Sequence, residues 1–184
     1  MKLSRTLLPA SLIAVALAVS AAPLKADLGH SSVAATFKQM NVPVEAKFKK
    51  FSASVDYDAA KPELSKASVD IDTASLDLGD AEMNKEVAKK EWFNAAQFPK
   101  ASFVSSSIKP GGAGKLNVTG KLSIKGKSAD VSFPLSVKAE GGKQVFEGAL
   151  PIKRLAFNIG DGEWKDTSMV ADEVVIKFRV IAAQ

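Results

Sequence analysis

Apolar and polar residues alternate with period two in one segment after another of this chain, and that repeat limits the fold more than any other feature. Val44, Ala46 and Phe48 alternate with Glu45 and Lys47. The same rhythm runs through Ala53, Val55 and Tyr57, through Ala67, Val69 and Ile71, and through Leu116, Val118, Gly120, Leu122 and Ile124. It returns in Val131, Phe133, Leu135 and Val137, and again in Val174, Ile176, Phe178 and Val180. Successive side chains of a strand point to opposite faces, so each segment reads as a half-buried β-strand. Weaker strands are expected over residues 33–37, 101–105, 145–152 and 155–159.

Glycine-bearing connections fall between consecutive runs: Pro110-Gly111-Gly112-Ala113-Gly114, Lys125-Gly126-Lys127 and Glu140-Gly141-Gly142-Lys143. Short links of this composition join antiparallel hairpins. The rhythm breaks once. From residue 80 to 92 it becomes helical, with Met83, Val87 and Trp92 on one face behind an acidic start at Asp77 and Asp80. The apolar side of this helix is expected to cover one barrel opening.

Eight to ten antiparallel strands with one inserted helix must hide their edges. A closed barrel removes edges completely and a sandwich only in part. The inward faces mix large side chains with small ones such as Ala35, Ala46 and Gly120. A barrel of about eight strands is filled by side chains or holds one ligand, and the pattern alone leaves both open. As the interior wall it nominates Phe37, Ala46, Phe48, Val69, Ile71, Phe103, Leu122, Phe133, Leu135, Phe157 and Phe178. Met83 and Val87 join them from the helix. Trp92, Phe93 and Trp164 are either core or the rim of a mouth.

The N-terminus reads differently. Lys2 and Arg5 precede a thirteen-residue apolar run from Leu7 to Val19, followed by small residues at Ser20, Ala21, Ala22 and Ala26. That is the order of a secretory leader, and the run is too short to span a bilayer. Residues 1–26 are therefore expected to be removed, with the new terminus between Ala22 and Asp27, and residues 27–184 to form a single domain in the periplasm. The leader carries three cations and no acid, so its loss lowers the formal charge from +5 to +2, which is no nucleic-acid footprint.

The chain has no cysteine and one histidine, His30. Thiolate metal sites, disulfides and thiol catalysis are thereby excluded. Asp70, Asp72, Asp77 and Asp80 lack calcium-loop spacing and fit solvation and capping better than a metal. Gly160-Asp161-Gly162-Glu163-Trp164 lacks the Lys-Ser/Thr pair of a phosphate loop. No catalytic residue, cofactor or metal is expected.

An ordered set of short motifs completes the reading. It comprises His30-Ser31-Ser32-Val33, Phe48-Lys49-Lys50-Phe51-Ser52, Val69 to Asp77, Glu91-Trp92-Phe93-Asn94 with Phe98 to Phe103, Val118 to Gly126, and Ile152-Lys153-Arg154 with Phe157 to Gly160. In this order the chain resembles the YceI-like family, whose members are often called polyisoprenoid-binding proteins. The resemblance implies an extended, antiparallel, lipocalin-like barrel with a long apolar tunnel for an isoprenoid or similar lipid tail. A quinone and a polyprenyl carrier are candidate ligands. It implies a carrier with no nucleic-acid partner and no stable membrane insertion, and a homodimer is compatible with it. A structural or interaction barrel of the envelope, or an accessory of a periplasmic redox or stress response, is the alternative.

Overall fold

The computed structural model describes residues 24–183. Eleven strands and one short helix follow in the order β1 (Leu24–Ala26), β2 (Ser32–Gln39), β3 (Val42–Phe48), β4 (Phe51–Asp56), β5 (Lys66–Asp72), β6 (Leu76–Asp77), α1 (Ala81–Val87), β7 (Lys100–Gly112), β8 (Lys115–Ile124), β9 (Lys127–Glu140), β10 (Lys143–Lys153) and β11 (Val170–Ala183). All pairings are antiparallel, and β1 lies between β4 and β11, so the sheet closes on itself.

Three kinks reduce eleven strands to eight staves. β1 and β2 both pair with β11, through Ala26↔Ala182 and Ser32↔Arg179, and form one interrupted stave. β3 and β4 are one stave bent at Lys49-Lys50. β5 and β6 are one stave bent at the 3-10 turn Thr73–Ser75. The last two bends face each other: Lys49 N donates to Ser75 O at 3.0 Å and Asp72 N to Lys50 O at 3.0 Å. Thr73, 1% exposed, anchors the second bend by donating to Phe98 O at 2.8 Å. Two of the ordered sequence motifs are thus the two halves of one corner. The expected antiparallel barrel of about eight strands is what the chain forms.

Three hairpins use two-residue loops with both residues at positive φ: Met40-Asn41, Lys125-Gly126 and Gly141-Gly142. Such loops match the twist of the flanking strands. Pro110, Gly111 and Gly112, expected in a turn, extend β7 instead, and only Ala113-Gly114 remains as the link. The strand expected over 155–159 is a 3-10 turn, Arg154–Phe157, ending at a left-handed Asn158. Leu155, Phe157 and Ile159 alternate as a strand would, but the chain curls around the Arg154 guanidinium to bring carbonyls to it.

The connections sort into two ends. One, the lid end, carries the loop at 40–41, the helix-bearing segment 78–99, the loop at 125–126 and residues 154–169. The other carries residues 57–65, 113–114 and 141–142. The helix is shorter than its 80–92 pattern predicts. Asp80 caps it, accepting from Glu82 N and Met83 N, and after Ala88 the chain turns, with Phe93 N donating to Val87 O at 3.0 Å. That turn sets Trp92 and Phe93 over the barrel interior.

Candidate functional site

Inside the staves lies a cavity of about 190 Å³, larger than the about 150 Å³ apolar cavity that holds a benzene molecule. Its wall presents carbon throughout. On β11 it is lined from Val170 to Val180, about 33 Å of strand, or about 25 Å along a barrel axis tilted by about 40°. The cavity is therefore a tunnel reaching from Trp92 and Arg154 at the lid end to Asp56, Tyr57, Ser65 and Lys66 at the other.

Twelve of the sixteen nominated residues line it: Phe37, Phe48, Val69, Ile71, Val87, Trp92, Phe93, Phe103, Leu122, Phe133, Leu135 and Phe178. Four do not. Ala46 points inward and is wholly buried, but its neighbours cover it. Met83 is 49% exposed, because α1 buries no residue and reaches the wall only through Val87. Phe157 is buried in the packed core at the lid end and does not reach the cavity. Trp164 backs Trp92, ring centroids 5.3 Å apart. The alternation Ala53-Val55-Tyr57 already marked further wall residues that the nomination left out.

The tunnel's shape comes from paired large and small residues. Phe103 on β7, Phe133 on β9 and Phe178 on β11 form a chain of rings, each centroid pair 5.5 Å apart. The strands between contribute Gly120 and Gly148, where a Cβ would overlap Phe103 and Phe178 respectively. Phe103 and Phe178 each lie against a glycine and fill the space its side chain would take.

The lid end is held by a residue that sequence reasoning passed over. Arg154 is 2% exposed, and its guanidinium donates to five backbone carbonyls: Ala171, Ile159, Gly160, Trp164 and Val170, at 2.6–3.2 Å. Burial pushes its pKa down while Asp172 opposes the shift, and an arginine stays charged throughout. Its Cζ stands 5.7 Å from the Trp92 ring centroid. Glu91 O then ties three segments together, accepting from Gly160 N and Asp161 N at 2.8 Å and from Lys125 Nζ at 3.4 Å. An arginine directly ahead of the apolar Leu155-Ala156-Phe157 was the available signal.

Asp77 fixes the helix. Lys49 at 2.8 Å, Asn84 Nδ2 and Gly79 N all bond its carboxylate, and they lower its pKa to about 2. Asp72 caps Ala74 N. Asp70 pairs with Lys100 at 3.4 Å, so each of the four acidic residues has a partner within the fold, and exposed His30 sits beside Asp27. Chemically the arrangement removes hydrocarbon from water: each buried methylene gains about 0.8 kcal/mol, before ordering costs.

Comparison with known proteins agrees with this geometry. The crystal structure of Burkholderia cenocepacia BcnA is 57% identical, covers 86% of this chain and all of its own, and superposes with a TM-score of 0.85. A polyisoprenoid binding domain from Saccharophagus degradans, implicated in plant cell wall breakdown, shares the fold with a TM-score of 0.68 at 15% identity, over 88% of this chain and 97% of its own. A UPF0312 protein of Shewanella oneidensis is 35% identical over 141 residues, 75% of this chain and 71% of that one. The chain spans about half the length of the Pseudomonas relatives it matches. The YceI-like domain matches residues 24–182, and the chain belongs to that family.

Proposed function

We propose that this protein is a non-catalytic carrier that holds the tail of an isoprenoid or other long-chain lipid in its barrel. The observation that carries this reading is the all-carbon wall running between the two ends of the barrel. The rings of Phe103 and Phe178 take the space that side chains at Gly120 and Gly148 would fill, which supports an open tunnel over the structural alternative, a solid core. The polyisoprenoid name of one structural relative supports the same ligand class.

The reading includes export to the periplasm by the N-terminal leader, most of which lies outside the described residues. Leu24 is 8% exposed and packs in the core, and β1 closes the barrel between β4 and β11. A cut after Ala26 removes this strand and one after Ala22 keeps it, which supports the earlier cut.

Tryptophan quenching tests the carrier. Of the two tryptophans, Trp92 lines the tunnel and Trp164 backs it. In a Trp164→Phe variant, a brominated long-chain hydrocarbon is expected to quench Trp92 saturably at one chain per protein. Quenching that rises linearly without saturation would count against a tunnel.

A further inference from the structure

A second cavity, of about 390 Å³, lies at the end away from the lid, lined by Leu24, Tyr57, Asp58, Gly142, Gln144 and neighbouring backbone. Tyr57 lines this vestibule and the tunnel alike, so one residue stands at the threshold between them. The two spaces differ in chemistry: the tunnel wall is carbon, whereas polar atoms make up a large part of the vestibule. At the lid end, the cations Arg154 and Lys125 are occupied by backbone oxygens and Asp161, and the Trp92 indole N–H is the buried side-chain donor left without a partner among the described residues. Arg154 has given every N–H to a carbonyl, and Lys125 Nζ is shared among Asn158 O, Glu91 O and Asp161.

Resting on the carrier reading, we infer that the ligand lies tail inward with its head in this vestibule, and that the head is a neutral hydrogen-bonding group, a hydroxyl, carbonyl or amide. Among the described residues, Asp58 is the only charged one lining the vestibule, which disfavours an anion. One of its oxygens is already used on Ala60 N and Lys61 N. Among the described residues, neither the Tyr57 hydroxyl nor the Gln144 amide has a partner within the protein, and both line the space. The Tyr57 ring is held edge-on against Phe146, centroids 5.3 Å apart. Burial, and then Asp58, raise the pKa of the phenol, which keeps it protonated as a donor.

Three probes test this on the full chain: geranylgeraniol, its phosphate monoester and the corresponding hydrocarbon. Tyr57 is the only tyrosine, so the ring signal of ¹³C-tyrosine-labelled protein needs no assignment. The alcohol is expected to shift that signal and to bind more tightly than the phosphate. Tyr57→Phe and Gln144→Leu should each weaken the alcohol by about three- to tenfold, the loss of one hydrogen bond, and leave the hydrocarbon unchanged. If all three probes fail to bind, the carrier reading falls, and this inference with it. If they bind with the Tyr57 signal unmoved while the Trp92 indole N–H, a buried donor without a partner, shifts instead, the carrier stands and the head lies at the lid. Tighter binding of the phosphate overturns the neutral head.

Discussion

Arg154→Ala is expected to cost about 3–5 kcal/mol of stability, the range for breaking a buried charged network. The change removes five hydrogen bonds from a residue that is 2% exposed and leaves five carbonyls of the lid without their common donor. Unsatisfied buried polar groups cost more than made ones return. Arg154→Lys keeps the charge but offers three N–H groups in place of five, so it should fall between alanine and the native protein. Urea melts measure the loss. Amide exchange should localise it, with Gly160 and Asp161, both bonded to Glu91 O, exchanging first. An alanine variant within about 1 kcal/mol of the native protein, the worth of one ordinary hydrogen bond, would show that the lid does not depend on this side chain.

A single methyl at Gly148 is expected to affect binding more than folding. A Cβ there overlaps the tip of the Phe178 ring, which is movable, and the free space beside it is the tunnel. Gly148→Ala should therefore push the ring inward, at about 1–3 kcal/mol of overpacking, and reduce long-chain binding by at least about tenfold, equivalent to 1.4 kcal/mol. Gly120 provides the contrast. Its Cβ would meet the Val104 carbonyl as well as Phe103, and backbone within a paired strand cannot swing aside. Gly120→Ala should lose stability first. Titrating both variants with the same lipid and melting both in urea compares them. Unchanged binding in Gly148→Ala would mean that the passage beside Phe178 is not where the chain lies.

The barrel was legible because half-buried strands write their burial in period two, and closure follows from the need to hide edges. The wall was legible for the same reason: Val69, Ile71, Leu122, Phe133, Leu135 and Phe178 face the tunnel as alternation requires. Where the rule failed, a local interaction outweighed periodicity. Leu155, Phe157 and Ile159 alternate, yet Arg154 draws that stretch into a turn. Met83 shares a helical face with Val87, yet the helix ends one turn after Met83 and only its last residue reaches the wall. Ala46 faces inward as expected but is covered by its neighbours. Alternation reports which way a side chain points; it carries no information on whether free space lies beyond it. The Met40-Asn41 hairpin was hidden for want of glycine, with asparagine adopting positive φ in its place. The tunnel itself depends on two glycines and the rings across from them, a three-dimensional pairing that no single strand displays.

The central claim is that a lipid chain occupies the barrel, and counting lipid in the native protein tests it most directly. The protein would be purified from its native envelope without detergent, extracted with organic solvent, and the extract quantified by mass spectrometry against the protein. The account predicts close to one long-chain, isoprenoid-type molecule per protein, and a large drop in that ratio for Gly148→Ala. A native protein that yields no stoichiometric lipid, while its purified form neither binds nor is stabilised by any long-chain probe, would contradict it.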